Sequence, residues 1–349
     1  MKVIIPCCGS SSRFPDLPPK WMLPNHSGRP MIAEAISLLD VMPSNVIVTA
    51  LAEHETKFQI VRGLKQALGD EVTVILLPEK TRSQSETVAR TLEYTKLNEP
   101  FLVKDSDNCF RIETMESDCN YVCYDSLNNH SLINPRNKSY LQLDSQKTLI
   151  NIKEKQVISD TFSVGGYYFS NAGQFLETYS TLSSLTSVEK GELYLSDIIL
   201  AMLLKGIPFK GNPVTAYQDW GTVHDWKTFL LSKKTFFVAL DGYLFERGSE
   251  FFEPTFETAE AYGDSLNNIL RLIEQGHTVI FLSTRPSKYA EVTHRRLAEL
   301  GLGSLTVLYD CPLSKWDLIT APHRGLDFRT CDSHELDPLA HPSLDRLLQ

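Results

Sequence analysis

The sequence has no apolar run near the roughly 20 residues that a membrane-spanning helix needs, and it lacks the cation-then-apolar opening of a secretory signal. A cytoplasmic location with no membrane partner is therefore expected. Positive charge is also scarce: 34 Lys and Arg face 43 Asp and Glu, a formal net charge of -9. Proteins that bind a nucleic-acid backbone usually carry a basic face, so no nucleic-acid partner is expected, while a local pocket for one small anion stays open. The 7 cysteines, at 7, 8, 109, 119, 123, 311 and 331, are odd in number and include no C-x-x-C pair. Neither a disulfide framework nor a four-cysteine zinc site follows from them, and Cys119 and Cys123 lack two further partners for a metal. Internal repeats and low-complexity segments are absent too.

What remains is ample material for a core, since 42% of the 349 residues are hydrophobic. That length suits about two domains of roughly 100 to 200 residues. Short apolar runs, KVIIP at 2–6, NVIVTAL at 45–51, EVTVILL at 71–77 and PFLVKD at 100–105, alternate with helical patterns at 30–42, 54–68 and 85–97. The alternation predicts an α/β fold with a mostly parallel sheet covered on both faces, whose ligands bind beyond the carboxyl ends of the strands. Between about 120 and 170 it gives way to extended pieces, YLQLD, TLINIKEK and FSVGGYYFS, that read as a more antiparallel, substrate-facing region. A helix at 195–206 leads into AYQDWGTVHDWKTF. After LSKK at 231–234 the alternation restarts with TFFVALDG, a helix over 258–274, HTVIFLSTRP and a helix over 288–300. The expected domains are 1–232 and 233–349.

Residues 3–23 read VIIPCCGSSSRFPDLPPKWML: an apolar strand, a run of small residues, then Arg13, three prolines and Lys20. Small residues let backbone N–H groups approach a phosphate, and the two cations can neutralise it. The segment resembles the signature of the nucleotide-sugar pyrophosphorylases and related nucleotidyltransferases. Cys7, Cys8 and Ser11 stand where that family usually has Ala, Gly and Gly, a less permissive set for backbone angles. The resemblance implies a Rossmann-like mixed sheet, nucleotide contacts from Cys8, Gly9, Ser10, Ser11 and Ser12, and catalytic roles for Arg13 and Lys20 on a triphosphate.

Five later segments resemble the family's in the same order, over about residues 1–230. In KTRSQSETV, Ser83 and Gln84 are implied to meet the nucleobase; as a residue type, Ser83 equally suits a helix cap. In KDSDNCF, Asp107 is the implied magnesium ligand and Asp105 either a residue supporting the ligands from behind or a competing candidate, and Asp219 of QDWGTVHDW is the implied second ligand. Magnesium prefers one or two carboxylates supplemented by substrate phosphates. In IKEKQVISDTFSVGGYYFS, Lys155 is implied on the acceptor's phosphate, Glu154 on its hydroxyl or amine, and Gly166 at its closest approach. In GELYLSDII, Glu192 is implied to contact the acceptor. Trp220 and Trp226 read as exposed aromatics available for interdomain or subunit packing, so a homo-oligomer is allowed; His224 between them reads as structural.

The second domain resembles the haloacid-dehalogenase-like phosphatases in TFFVALDGYLFERG, with Ser283 or Thr284 of TVIFLSTRP in place and Lys315 a loose match. The position of the nucleophilic Asp holds Ala239, and Tyr243 stands where the general acid belongs if Asp241 is taken as nucleophile. No aspartyl-phosphate forms on alanine, so a domain without phosphatase activity is implied. FRTCDSHELDP supplies no convincing pair of magnesium ligands. The expected function is magnesium-dependent nucleotidyl transfer from a nucleoside triphosphate to a phosphate monoester, giving an activated precursor for surface polysaccharide or glycan synthesis. The rivals are a bifunctional protein with an active phosphatase and a non-catalytic nucleotide-sugar sensor.

Overall fold

A computed structural model describes residues 1–9, 12–114, 119–130, 135–185, 192–314, 316–317, 332 and 334. Ser10, Ser11, Lys315 and most of FRTCDSHELDP lie outside the described residues. The chain divides into two compact units, Met1–Trp226 and Lys227–Gln349. Among the described residues no helix is long and apolar enough to cross a membrane.

The first unit contains β1 (Lys2–Pro6), α1 (Met31–Ala35), β2 (Val46–Leu51), α2 (Ala52–Phe58), α3 (Ile60–Leu68), β3 (Thr73–Leu77), α4 (Gln84–Thr95), β4 (Phe101–Lys104) and β5 (Asn108–Ile112). It continues with β6 (Asn120–Ser126), β7 (Ser139–Leu143), β8 (Leu149–Glu154), β9 (Thr161–Phe169), α5 (Ala172–Leu185), α6 (Leu195–Leu204) and β10 (Phe209–Asp219), and α7 (Val223–Ser232) runs across the division. Ten strands make one sheet in the order β3-β2-β1-β4-β9-β6-β10-β5, with β7 pairing both β8 and β9. The first four of that order are parallel. β9 then runs antiparallel to both β4 and β6, so the sheet is mixed.

Alternate side chains of a strand point to opposite faces, and this divides the core in two. Ile4 of β1 joins Val88, Leu92, Phe101, Phe169, Phe175 and Ile198 on the face covered by α4, α5 and α6. Val3 and Ile5 join Ile32, Ile60, Leu64, Leu102 and Tyr168 on the other. All six residues of β2 are buried, as a strand covered on both faces requires. Phe101 stacks on Phe169 with centroids 5.3 Å apart, and Phe175 meets both rings edge-on.

Three expectations are corrected. The helical pattern at 30–42 yields an α-helix only over Met31–Ala35. The pattern at 54–68 breaks at Gln59, which is left-handed at φ 52°, and the Glu55 carboxylate accepts the Val61 N–H at 2.8 Å, so a new helix begins there. Trp220 and Trp226 are not surface aromatics: they are 1% and 2% exposed. Trp226 Nε1 donates to the Pro24 carbonyl at 3.2 Å and its ring lies 6.3 Å from Phe14, which ties the late segment to the opening loop.

The second unit holds a parallel sheet of β11 (Thr235–Ala239), β12 (Thr278–Leu282) and β13 (Thr306–Leu308), with α8 (Gly263–Glu274) and α9 (Ala290–Glu299) in the crossovers. Leu240, Phe245, Ile269, Phe281 and Leu297 are buried in its core. Just past β11, Asp241 accepts from Arg285 Nε at 3.0 Å and Nη2 at 2.8 Å, and from Ser283 Oγ at 3.3 Å. Arg285 is fully buried, and its Nη1 donates to the Phe256 carbonyl at 3.1 Å and to Thr293 Oγ1 at 3.2 Å. Removing one partner of such a pair strands a buried charge. Arg285→Met is therefore expected to destabilise the second unit by about 3–5 kcal/mol, read as an earlier chemical-denaturation transition.

Candidate active site

The site is built where strands end. β4 stops at Lys104, a short turn carries Asp105 and Asp107, and β5 begins at Asn108, which pairs with Asp219 at the end of β10. That register brings the late aspartate to the early one. Trp220 N donates to the Asp107 carbonyl at 2.8 Å and Gly221 N to Asp219 Oδ1 at 3.0 Å. A Cβ on Gly221 would stand 3.1 Å from Asp219 Oδ1, 3.4 Å from Asp107 Oδ2 and 3.5 Å from Arg13 Nη1. Asp107, Asp219 and Arg13 thus converge around one glycine.

Lys20 completes the group. It opens a short 3₁₀ turn after Pro18 and Pro19, and the buried Trp21 fixes that turn on the sheet. Its ammonium is ion-paired with Asp107 Oδ2, and Arg13 Nη2 lies 3.9 Å from the same oxygen. Burial alone pushes the Asp107 carboxyl up, but Lys20, with Arg13 and Lys138 behind it, draws it below the usual carboxylate range. Asp105 goes the other way: burial, then the neighbouring Asp107 charge, push it up to about 6. Asp105 accepts from Gln84 Nε2, and a Cβ on Gly165, which is left-handed at φ +81°, would be 2.3 Å from Asp105 Oδ2. Asp105 is held as a wall of the site, and Asp107 carries the ion pairs with Lys20 and Arg13.

Lys104 is fully buried, and sequence reasoning passed over it in favour of the carboxylates that follow. Its ammonium donates to the Asp105 carbonyl at 2.8 Å, the Asn108 carbonyl at 2.7 Å and Asn108 Oδ1 at 2.6 Å. It clamps both ends of the aspartate turn.

The Glu154–Lys155 pair lies at the end of β8, opposite the start of β7. Glu154 Oε2 accepts from Ser139 Oγ and, at 3.1 Å, from Ser196 Oγ. Lys155 is left-handed at φ 54°, and its Nζ donates to Tyr194 OH at 2.7 Å. That hydrogen bond raises the Lys155 pKa, with Glu154 and the exposed Glu192 adding to it. The space a side chain on Gly166 would need is filled by Phe110 and Cys123, at 2.7 and 2.9 Å. Ser83 Oγ accepts Glu86 N at 3.1 Å as the N-cap of α4, and Gln84 beside it reaches Asp105. Cys8 is buried, with Sγ donating to the Thr49 carbonyl at 3.4 Å, whereas Gly9 and Ser12 are exposed.

A second cation, Lys138, was missed as well. Its ammonium is ion-paired with Asp219 Oδ2 and donates to Tyr217 OH at 2.8 Å. It lies in NPRNKSY, where no spacing marks it, and only the fold brings it to Asp219.

Among the described residues no trio of His, Cys, Asp and Glu side chains is placed to cage a metal. Two converging carboxylates still fit magnesium, which takes one or two of them and completes its shell with water and substrate phosphates.

The chain matches no family model, and no curated protein matches its sequence. Solved structures do match in fold. A nucleoside-diphosphate-sugar pyrophosphorylase from Vibrio cholerae RC9 aligns with a TM-score of 0.55 at 21% identity, over 66% of this chain and 99% of its own. The inositol-1-phosphate CTP transferase of T. maritima aligns at 0.51 and 13% identity, over 65% and 94%. A UDP-glucose pyrophosphorylase complexed with UDP-glucose aligns at 0.51 and 14%, over 66% and 97%. Two thirds of the chain therefore has the mixed α/β fold of the nucleotide-sugar pyrophosphorylases and related nucleotidyltransferases.

Asp105 gives a test of the electrostatics. Its raised pKa means that stability is lost as pH rises from the ordinary carboxyl value of 3.8 to about 6 and that the loss is complete above that, so the cost is partial at pH 5 and full at pH 8. Asp105→Asn keeps the acceptor for Gln84 and removes the charge. It is expected to raise the thermal midpoint at pH 8, by more than it does at pH 5.

Proposed function

We propose that the chain is a magnesium-dependent nucleotidyltransferase that joins a nucleoside triphosphate to a phosphate monoester and releases pyrophosphate. The observation that carries the reading is the convergence of Asp107, Asp219, Arg13 and Lys20 beyond the ends of the sheet strands, where open α/β sheets bind ligands. Lys20 and Arg13 are the triphosphate cations. Asp107 and Asp219 hold the metal, which when bound neutralises phosphate charge. Cys8, Gly9, Ser10, Ser11 and Ser12 form the phosphate loop, and Ser83 and Gln84 meet the base. Ser83 does so through its main chain, since its hydroxyl caps α4.

In the reaction an oxygen of the monoester phosphate attacks the α-phosphorus, a new P–O bond forms, and the bond to the leaving pyrophosphate breaks in line. The attacking oxygen is already anionic near neutral pH, because the second pKa of a phosphate monoester is about 6. No general base is needed, and catalysis becomes positioning and charge neutralisation. On the acceptor, Lys155 meets the phosphate, while Glu154 and Glu192 meet hydroxyl or amine groups; Gly166 is not kept as the point of closest approach, because Phe110 and Cys123 fill the space beside it. A sugar 1-phosphate or a related polar metabolite phosphate fits that set, and the product, made in the cytoplasm, is an activated precursor for surface polysaccharide or glycan synthesis.

For the second unit we propose a haloacid-dehalogenase-like fold without phosphatase chemistry. Ala239 supplies no nucleophile, and the Asp241 carboxylate is spent on Arg285.

The test is pyrophosphate release from each nucleoside triphosphate with magnesium and a panel of phosphate monoesters. One nucleotide–acceptor pair is expected to react. Asp107→Asn is expected to lower that turnover at least about 100-fold with the fold intact by circular dichroism. Retained turnover would remove Asp107 from the site, and silence of the wild type across the panel would favour the sensor.

A further inference from the structure

Each of the two aspartates that converge at Gly221 carries its own lysine: Lys20 is paired with Asp107, and Lys138 with Asp219. Lys20 belongs to the opening loop. Lys138 belongs to the other side of the site. Its carbonyl accepts the Lys155 N–H at 2.9 Å, and the next residue, Ser139, donates its hydroxyl to Glu154. Lys138 is therefore bonded through its backbone and its neighbour to the two proposed acceptor residues, and through its ammonium to a proposed metal carboxylate. An attacking phosphate must lie between those two sets of groups. Lys155 is turned to Tyr194, whose ring its ammonium covers at 4.5 Å.

We propose that Lys138 binds the phosphate of the acceptor, exchanging Asp219 for that phosphate in the loaded site. The inference rests on the nucleotidyl-transfer reading and adds a residue to it. The chemistry follows from what a half-buried ammonium tolerates. The Lys138 side chain is 12% exposed and lies against the rings of Phe162 and Tyr217, at 5.7 and 5.4 Å. With Asp219 engaged elsewhere, Tyr217 OH is the hydrogen-bond partner left to it among the described residues, and a neutral phenol does not offset a desolvated positive charge. An anion is then required at that position, and the acceptor's phosphate is the anion the reaction brings there. Phe162 and Tyr217 confine the ammonium to the side of Asp219, so the exchange needs only a small movement of a flexible stem.

The experiment uses the full chain and three probes that do not depend on turnover. Manganese alone is titrated by electron paramagnetic resonance, inorganic phosphate by calorimetry in the presence of magnesium, and folding is followed by thermal melting. Lys138→Met is expected to bind manganese several-fold more tightly, because the competing ammonium is gone, and to bind inorganic phosphate about tenfold more weakly, the size of one charge-assisted hydrogen bond. Lys138→Arg is expected to keep phosphate binding within about threefold of the wild type. If Lys138→Met melts early, Lys138→Gln takes its place. Phosphate affinity that is unchanged in these variants, or manganese affinity that falls, would make Lys138 a structural prop for Asp219 and overturn the assignment. Manganese binding that is absent from the wild type, or unaffected by Asp107→Asn, would instead sink the nucleotidyl-transfer reading and this inference with it.

Discussion

Two carboxylates cannot be held around one glycine without counter-charge, and the arrangement of the first unit follows from that constraint. Asp107 Oδ2 and Asp219 Oδ1 lie 3.4 and 3.1 Å from the same point beside Gly221. Those two distances put the oxygens no more than 6.5 Å apart, and at an effective dielectric near 20 two unit charges that close repel by at least about 2.5 kcal/mol. That is a large share of the roughly 5–15 kcal/mol by which domains are stable. The register of β10 on β5 imposes the approach, and Lys20, Lys138 and Arg13 make it tolerable. Lys104 does the complementary task from beneath, tying together the carbonyls of the turn that presents Asp107. The charge-balanced cluster is also a poised one, since each lysine has an anion it can leave for another.

Much of this was legible in the chain. The strands at 2–6, 45–51, 71–77 and 100–105 form with small shifts at their ends, because continuous Val, Ile and Leu runs suit strands buried on both faces. Arg13 and Lys20, singled out by a motif, and Asp107, singled out at a strand end, lie in contact with one another, an ion pairing that the segments themselves do not announce. What was not legible has long-range causes. Lys138 meets Tyr217 and Asp219, 79 and 81 positions away, and nothing within NPRNKSY encodes that meeting. Nothing near Trp226 in the sequence marks it as buried, and its indole is held by the Pro24 carbonyl, 202 positions earlier. Local pattern also misjudged Gln59, where a carboxylate capping Val61 overrides a helical periodicity that continues on both sides.

The second unit meets the same problem, a buried carboxylate past a strand end, with a different solution. Asp241 is gripped by a guanidinium through two nitrogens, while the third nitrogen of that guanidinium is spent on Phe256 and Thr293 and its central carbon lies 5.1 Å from the ring centroids of Phe245 and Phe256. Arg285 is 0% exposed, so releasing Asp241 would leave a buried cation without the carboxylate it is paired with. Lys138 and Lys20, by contrast, keep 12% and 21% of their side chains exposed and hold their aspartates by single ammonium contacts on flexible stems. An ion pair that can open at low cost can admit a ligand, and one whose opening strands a charge cannot. By that criterion the carboxylates of the first unit are arranged for exchange and that of the second for permanence, which is why the chemistry is assigned to one end of the chain.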